Sequence, residues 1–408
     1  MSNNPESTLS ASNKVLQLKK GADRRLKQGH LWIYSNEVDS ANGGLKQFQA
    51  GDQALVTTPS GKPLGTALVN PNTLICGRLI SRSSSQFMDK SLIVHRLKIA
   101  LSLRQQAFDK PFYRLVFGDS DGLPGLVIDR FGDACVAQIS SFGMEMLKDE
   151  LIEAIEKVIK PTTLIFRNDG KMREVEGLES YTETVIGEET ETLQLEENGV
   201  LFTAPVLKGQ KTGWFYDHRM NRARLAPYVK GKRVLDIFSY IGGWGIQAAA
   251  FGAESVTCID ASEYALSFVE ENAKLNGVED KVRCIKGDAF AACKELRDIR
   301  EKFDVVIVDP PAFIPRRRDI KAGEQAYQRI NQLAMRLLDK DGILVSASCS
   351  MHLQRDRLTD IIRSTGRQTD RFVQIIEQGH QGADHPIVPA IPETEYLKAC
   401  FARVLPSF

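Results

Sequence analysis

The C-terminal half of this 408-residue chain alternates short apolar runs with longer amphipathic segments. We interpret the apolar runs as five strands, at residues 233–238, 255–260, 282–286, 303–308 and 342–346. The segments between them have the apolar spacing of helices. Neighbouring parallel strands need such crossover connections, so the alternation predicts a doubly wound α/β sheet.

Two further apolar runs close the chain, at residues 371–377 and 397–405. A loop rich in Gly and Pro separates them, as expected for a hairpin-like pair. We therefore predict a mostly parallel sheet closed by an antiparallel edge strand.

The N-terminal half has another pattern, and a chain of this length is expected to form more than one domain. Short β segments separated by Gly, Pro and Asn turns predict a small β-rich domain over residues 14–85. Helical and strand-like segments predict a central α+β domain over residues 86–190. The polar residues 1–13 predict a disordered tail, and residues 191–408 form the predicted sheet domain. Its first boundary lies near the acidic stretch 188–197, which is either a linker or the edge of a hairpin.

Composition excludes several classes of protein. The formal net charge of +1 predicts no global attraction to nucleic acid, so any such binding must come from local basic patches. No apolar run approaches the roughly 20 residues of a membrane helix, and the N-terminus lacks the pattern of a secretory signal, so a cytoplasmic location is expected and no membrane partner. Seven cysteines without a Cys-x-x-Cys pair predict reduced thiols and no metal site.

Acidic residues end or follow three successive predicted strands, at Asp236, Asp260 and Asp288. Ligands of an open α/β sheet bind at this edge. The residues Gly243, Gly245 and Ala248 formally match a dinucleotide fingerprint, but a carboxylate at Asp236 would repel a pyrophosphate.

The same carboxylate suits the positive sulfonium and amino groups of S-adenosylmethionine, so we predict that this edge binds that cofactor. Each aspartate, taken singly, can instead be a strand-end cap. The candidate cofactor-binding residues are Asp236, Phe238, Ser239, Tyr240, Gly242, Asp260, Asp288, Ala289 and Asp309.

The fourth predicted strand ends in Asp309-Pro310-Pro311-Ala312-Phe313. The two prolines fix the backbone, which would hold the carboxylate and the aromatic ring at the edge of a pocket for a flat, amino-bearing base.

The fifth predicted strand leads to Cys349. Carbon 5 of cytosine becomes nucleophilic only after a thiolate adds to carbon 6, and a cysteine here could provide that thiolate. Asp309 would then protonate or hydrogen-bond the ring nitrogen. The alternative for Cys349 is a buried core thiol.

Seven motifs together resemble the bacterial ribosomal RNA large subunit methyltransferase I family. They are Gly29-His30-Leu31-Trp32, Asp119–Gly125, Lys211–Trp214 with Asp217 and Arg219, Phe238–Tyr240, Asp309–Pro311, Ser348–Ser350 and Ala383–Pro386. The resemblance implies an N-terminal PUA domain, a central α+β domain and a class I methyltransferase domain that makes 5-methylcytidine. It also implies that Cys349 is the nucleophile and that Asp260, Asp288 and Asp309 lie at the cofactor or the base.

Two features depart from the family pattern. Ala312 stands where the family usually has Lys, although Arg316, Arg317 and Arg318 follow closely. The chain also lacks the second cysteine that two-cysteine RNA cytosine methyltransferases place after the fourth strand. The base that removes the carbon 5 proton therefore stays open.

The expected partner is the ribosomal RNA of the large subunit, and a homodimer is compatible with the sequence. Basic clusters before Trp32, around Lys208–Arg224 and at Arg316–Lys321 support RNA binding, although solvated faces give the same pattern. The candidate substrate-binding residues are Lys211, Arg219, Pro310, Pro311, Phe313, Arg316 and Arg317. Two alternatives remain. An enzyme that methylates guanine N7 or an exocyclic amine would need Asp309 but no thiol, and an RNA-binding assembly factor would not catalyse.

Overall fold

The computed structural model of the protein describes residues 14–41 and 43–407, so the predicted N-terminal tail lies outside the described residues. The chain divides into two compact units. Of the described residues, the first contains those up to Glu189 and the segment Pro386–Pro392, and the second contains Thr190–His385 and those from Glu393 to residue 407. Within the described ranges, no helix has the length and apolar character needed to cross a membrane.

The first unit begins with a small β-rich region. Its elements are β1 (Val15–Gln17), α1 (Asp23–Lys27), β2 (Trp32–Tyr34), β3 (Gln53–Thr57), β4 (Pro63–Val69) and β5 (Ile75–Ser81). The sheet order is β1-β3-β4-β5-β2, in which β1 is parallel to β3 and the other pairs are antiparallel. Leu16, Ile33 and Val56 share its buried core. The prediction of a β-rich N-terminal region is confirmed.

An α+β region follows in the same unit. Its elements are α2 (Lys90–Ala107), β6 (Phe112–Phe117), β7 (Leu126–Phe131), β8 (Ala134–Ile139), α3 (Phe142–Glu145), α4 (Lys148–Val158), β9 (Thr163–Asn168), α5 (Met172–Glu176) and β10 (Tyr181–Ile186). The sheet order is β10-β9-β8-β7-β6, and only the β8–β9 pair is parallel. Asp89 caps α2 by accepting from the N–H of Leu92 at 2.8 Å.

The motif Asp119–Gly125 forms a structural turn in this region. Asp121 accepts two hydrogen bonds from the buried guanidinium of Arg104, at 2.6 and 2.8 Å, and a third from the N–H of Phe117 at 2.6 Å. A paired charge of this kind satisfies its hydrogen-bonding capacity without water. The motif therefore holds the end of β6 against α2.

The second unit contains the α/β sheet. Its elements are β11 (Thr192–Glu197), β12 (Val200–Pro205), α6 (Arg219–Ala223), α7 (Ala226–Val229), β13 (Arg233–Ile237), α8 (Gly243–Ala250), β14 (Ser255–Asp260), α9 (Glu263–Leu275), β15 (Val282–Lys286), α10 (Ala289–Asp298), β16 (Phe303–Val308), α11 (Ile320–Leu337), β17 (Leu338–Ser348), α12 (Arg355–Gln368), β18 (Arg371–His380) and β19 (Lys398–Pro406). The acidic stretch 188–197 leads into β11, which pairs antiparallel with β12. Residues 192–197 of that stretch form a strand of this hairpin, and the division between the two units falls within residues 188–191 before it.

The large sheet has the order β15-β14-β13-β16-β17-β19-β18. The first five strands are parallel, as predicted. The prediction of an antiparallel edge strand is wrong in one respect: β19 is antiparallel but lies between β17 and β18, and the edge strand β18 runs in the direction of the parallel strands. Burial explains this order, because β19 is buried almost continuously whereas β18 alternates half-buried and exposed residues.

The strand order reverses between β13 and β16. Crossovers from these two neighbours lead to opposite sides of the sheet, so the segments that follow them border one crevice. Residues of one face of the sheet, including Ile237 and Val306, form a core with Tyr327 of α11.

Candidate active site

Five segments reach the carboxyl edge of the parallel strands. They are the loop 238–242 after β13, Asp260 at the end of β14, Asp288 after β15, Asp309 after β16 and Cys349 after β17. Because parallel strands end at one edge of a sheet, the fold gathers the candidate cofactor carboxylates and the candidate nucleophile there.

The loop after β13 has an unusual backbone. Phe238, Tyr240 and Gly242 have φ angles of 64°, 50° and 84°. Left-handed conformations of this kind cost non-glycine residues about 1–3 kcal/mol each and concentrate at ligand sites. Two hydrogen bonds to the neighbouring strand hold the loop, from Ser239 N–H to the carbonyl of Ile259 at 3.0 Å and from Tyr240 N–H to Asp260 Oδ2 at 2.9 Å.

Asp236 lies beneath this loop and is fully buried. Its Oδ2 accepts from the N–H of Gly245 at 2.9 Å, which braces the start of α8. Burial raises the pKa of Asp236 to about 7, despite the bond from Gly245. The side chain therefore does not face a ligand-accessible surface, which differs from the predicted role of a charge facing the cofactor. The hydrogen bond that it accepts from Gly245 supports the loop instead.

Asp260 and Asp288 each accept hydrogen bonds from backbone N–H groups and keep further lone pairs that can accept from a ligand. Asp260 accepts from Tyr240 and, through Oδ1, from Ser262 N–H at 2.9 Å. Asp288 caps α10 by accepting from Ala291 N–H at 3.0 Å. The cap interpretation of these residues is therefore correct, but a carboxylate has about four lone-pair sites, so both can still accept from a ligand. Ala289 begins α10 and is buried.

Aromatic rings lie between these carboxylates and β16. Phe313 contacts Phe238 and Phe290, with ring centroids 6.0 and 6.2 Å apart, and packs on Tyr327 at 4.9 Å. Phe238, Phe290 and Phe313 are only partly buried, so their rings can cover an adenine or a base. The available carboxylate lone pairs and aromatic faces fit the ribose and adenine of S-adenosylmethionine.

Asp309 is held from two directions. Its Oδ2 accepts from Trp244 Nε1 at 2.9 Å, and its Oδ1 lies 3.1 Å from His218 Nε2. Burial alone would raise the pKa of Asp309, but His218, Trp244 and Arg222 outweigh it and the pKa is lowered. The carboxylate is therefore ionised at neutral pH and is suited to accept hydrogen bonds rather than to donate a proton.

Cys349 lies directly after β17 and is partly exposed. Burial raises the pKa of its thiol to about 11, and the Asp309 and Asp217 carboxylates add to this effect. The ammonium groups of Lys211 and Lys398 oppose it. A thiol with this resting pKa needs added positive charge or a base to become a nucleophile.

Asp217 is a second buried carboxylate near the thiol. Tyr396 OH donates to its Oδ2 at 2.6 Å, and Lys211 Nζ lies 3.9 Å from the same oxygen. Burial would raise the pKa of Asp217, but Lys211, His218 and His385 outweigh it and the pKa falls far below its usual range. His385 in turn lies 3.0 Å from Asp384, so the motif Ala383–Pro386 contributes to the same charged cluster.

Glu197 anchors the segment that carries Lys211 and His218. It is buried at the end of β11 and accepts from Trp214 Nε1 at 2.9 Å, Arg222 Nη1 at 2.6 Å and Gln247 Nε2 at 2.9 Å. These bonds join the segment before α6 to α8. They also fix the end of β11 to both helices.

The candidate substrate-binding residues differ in accessibility. Lys211 is exposed, with its ammonium 4.4 Å from the Phe215 ring centroid. Pro311, Arg316 and Arg317 are exposed, Phe313 is partly buried, and Pro310 is buried. Arg219 is only 7% exposed, its guanidinium lies 5.3 Å from the Tyr216 ring, and its Nε lies 3.9 Å from Glu197. This placement assigns Arg219 to the support of the site.

Sequence reasoning missed four residues around the site. Trp244, Tyr327, Tyr396 and Lys398 received no role, although they contact Asp309, the Ser348 and Ser350 hydroxyls, Asp217 and the Ser350 carbonyl. Lys398 left a recognisable signal, because a lysine within an apolar final strand is rare without a buried partner.

The comparisons with known proteins agree with this geometry. Residues 172–397 match the family model of S-adenosylmethionine-dependent methyltransferases, and residues 16–82 match the model of PUA-like domains. Two solved structures share the fold: a SAM-dependent methyltransferase from Streptococcus mutans has a TM-score of 0.81 at 19% identity, and the methyltransferase SMU.776, complexed with SAH, has a TM-score of 0.82 at 20% identity. Each comparison covers 96% of this chain and 100% of the other.

The fold and the edge of the sheet thus define an S-adenosylmethionine-dependent methyltransferase with an N-terminal PUA-like domain. A relative from Shewanella denitrificans, named ribosomal RNA large subunit methyltransferase I, is 35% identical over 394 residues, which cover 95% of this chain and 99% of the relative. The chain belongs to the ribosomal RNA large subunit methyltransferase I family.

Proposed function

We propose that this protein methylates carbon 5 of a cytosine in 23S ribosomal RNA through a covalent adduct with Cys349. The names of the relatives support a ribosomal RNA substrate. The observation that carries the cytosine assignment is the place of Cys349. It is a partly exposed thiol at the carboxyl edge of the sheet, in the electrostatic field of Asp309 and Lys211. Five of the other cysteines are buried, and Cys284 lies within β15 rather than beyond its end.

In this mechanism the Cys349 thiolate forms a bond to carbon 6, and the electrons of the carbon 5–carbon 6 double bond move to carbon 5. A bound cofactor would supply an electrophilic methyl group there; as carbon 5 forms the bond to this methyl group, the carbon–sulfur bond breaks and its electron pair stays on the cofactor sulfur. A base then removes the carbon 5 proton while the Cys349 thiolate leaves, and the double bond is restored. Each of these events requires the thiol within reach of the ring.

Asp309 orients the base in this proposal. An ionised carboxylate accepts from the exocyclic amine of cytosine, and the hydrogen bond from Trp244 and the nearby imidazole of His218 keep it in place. Pro310 and Pro311 stiffen the following backbone. Phe313 offers a ring face to an extruded base.

The remaining site assignments follow from accessibility. We propose that Phe238, Ser239, Tyr240 and Gly242 line the cofactor with Asp260, Asp288 and Ala289, supported from below by Asp236. Lys211, Arg316 and Arg317 are exposed cations and are proposed to contact RNA phosphates. We also propose domain limits of 14–85 for a PUA-like RNA-binding domain, 86–190 for the central domain and 191–408 for the methyltransferase domain. An enzyme that acts on ribosomal RNA would be located in the cytoplasm.

The experiment has two arms. Mass mapping of 23S ribosomal RNA from cells with and without the gene should reveal one 5-methylcytidine that depends on it. In vitro, the wild-type protein and Cys349→Ala should be given the mapped RNA segment and labelled cofactor. We expect methyl transfer by the wild type and none by the variant, because an alanine cannot add to carbon 6.

The matched control is Cys284→Ala, which removes another thiol of the same sheet and should keep full activity. RNA containing 5-fluorocytidine at the target should form a stable adduct with the wild type and none with Cys349→Ala. Survival of methyl transfer in Cys349→Ala would refute the covalent mechanism and favour a guanine N7 or amine target. Absence of transfer by the wild type on ribosomal RNA would favour a non-catalytic assembly factor.

A further inference from the structure

Lys398 is a buried lysine beside the candidate nucleophile. It is the first residue of β19 and is only 4% exposed. A lysine side chain is seldom buried without a partner, because removal of its charge from water is costly. Its burial at this place in the sheet therefore calls for a specific function.

Lys398 contacts or pairs with the residues immediately before and after Cys349 in the sequence. In the β17–β19 ladder Lys398 is opposite Ser348, the residue before the thiol. Its Nζ donates to the carbonyl of Ser350, the residue after the thiol, at 2.6 Å, and to the carbonyl of Tyr396 at 2.9 Å. The side chain thus connects β19 to the turn that carries Cys349.

Hydroxyl groups also hold the same turn. Tyr327 OH lies 2.8 Å from the hydroxyls of both Ser348 and Ser350, and the Ser350 N–H donates to Ser348 Oγ at 3.1 Å. Neutral hydroxyls can fix the turn but bring no charge. Lys398 is the cation among the side chains that hold it.

We infer that Lys398 is a positioning residue for Cys349, which fixes the turn that carries the thiol and supplies a positive charge that favours the thiolate. The inference rests on the proposed function in treating Cys349 as the nucleophile. It adds a residue that no part of the preceding mechanism uses.

The electrostatics support this pairing. Burial lowers the pKa of Lys398 to about 8; Cys349 and Glu395 oppose that effect and Arg355 adds to it. Lys398 in turn lowers the pKa of the Cys349 thiol. Since Lys398 changes charge near neutral pH, its effect on the thiol should change over the same range. The imidazole of His380, opposite Lys398 on β18, bonds instead to the carbonyl of Gln381 at 2.7 Å.

The test measures the reactivity of the thiol rather than turnover alone. The full chain is alkylated with iodoacetamide from pH 6 to pH 10, and the modification of Cys349 is followed by peptide mass spectrometry. In the wild type, the logarithm of the rate should rise with unit slope below about pH 8, less steeply while Lys398 loses its charge, and with unit slope again above that range, because the loss of a nearby cation offsets part of the further ionisation of the thiol.

Lys398→Met should remove the shallower region near pH 8 and slow alkylation at pH 7 by about threefold or more, because a nearby cation has been lost. Lys398→Arg should retain the faster rate without the shallower region, because its charge does not titrate in this range. With ribosomal RNA, Lys398→Met should lower kcat while leaving KM for RNA within about twofold, because the thiol and not the RNA surface is affected.

The control is Lys302→Met. Lys302 also donates to a carbonyl, that of Arg336 at 2.6 Å, but it precedes β16 and lies at the opposite edge of the sheet. It should leave Cys349 alkylation unchanged. Far-UV circular dichroism and titration with S-adenosylhomocysteine report whether each variant is folded.

A wild-type rate that keeps unit slope over the whole range from pH 6 to pH 10 overturns the inference without any substitution. An unchanged Cys349 rate in folded Lys398→Met also overturns it. The proposed function fails separately: if Cys349→Ala retains methyl transfer, the mechanism is wrong even where the alkylation profiles agree with the pairing. If Cys349→Ala is inactive and the profiles do not differ, only the role of Lys398 is lost.

Discussion

Replacing Asp236 with Asn should remove a pH dependence from the stability of the second unit. The side chain is fully buried, and its Oδ2 accepts from the N–H of Gly245. Asn has nearly the same shape and keeps an oxygen for that bond, but it does not titrate. The substitution therefore isolates the effect of ionising a buried carboxyl group.

The sign and size of the effect follow from the pKa of Asp236, which burial raises from 3.8 to about 7. A group whose pKa is raised on folding contributes stability below its unfolded pKa and loses it as the pH rises through the folded value. Each pKa unit of the shift corresponds to about 1.4 kcal/mol, so Asp236 contributes about 4 kcal/mol to the free energy of unfolding at low pH and loses this contribution at high pH. The free energy of unfolding of Asp236→Asn minus that of the wild type should therefore increase by about 3 kcal/mol between pH 5 and pH 8.

Urea unfolding of both proteins at pH 5 and pH 8, followed by circular dichroism and tryptophan fluorescence, measures this difference. Other carboxyl groups titrate equally in the two proteins and cancel. Asp280→Asn, at an exposed position, should show no change between the two pH values. A difference between Asp236→Asn and wild type that stays constant within about 1 kcal/mol would show that the buried carboxyl does not have a raised pKa.

Two further substitutions test the supports of the site. Glu197→Ala should lower the free energy of unfolding by about 3–5 kcal/mol, because Arg222 is left as an uncompensated buried charge. The control Glu196→Gln, at a partly exposed position on the same strand, should lower it by less than about 1 kcal/mol. Urea unfolding compares the two variants, and equal losses would refute the anchoring role of Glu197. Asp309→Asn should lower kcat for methyl transfer about 100-fold through loss of an ionised acceptor, and single-turnover assays with ribosomal RNA measure it; an active variant would exclude Asp309 from base orientation.

The local pattern of the chain was sufficient for much of the methyltransferase sheet. The predicted strands 255–260, 282–286 and 303–308 coincide with β14, β15 and β16. Buried parallel strands are short, continuous apolar runs between amphipathic helices, so their limits are visible in the sequence. The order of the last two strands was not visible, because it depends on which of two apolar strands is the more completely buried.

For the candidate site, too, some features could be predicted from the sequence and others could not. Asp260, Asp288, Asp309 and Cys349 could be found from the sequence, since each comes at or just beyond the end of a strand and topology alone brings those ends to one edge. The sequence could not give the protonation state of Asp236, which depends on the closeness of packing around it.

The partners of these residues were decided by tertiary structure. Trp244 meets Asp309 across 65 positions of the chain, and Lys398 meets Ser350 across 48. No local pattern encodes such contacts, because they exist only after strands distant in sequence have paired. The sequence determined which chemical groups reach the edge of the sheet, and folding determined their charges and what holds them, because burial and long-range neighbours set both.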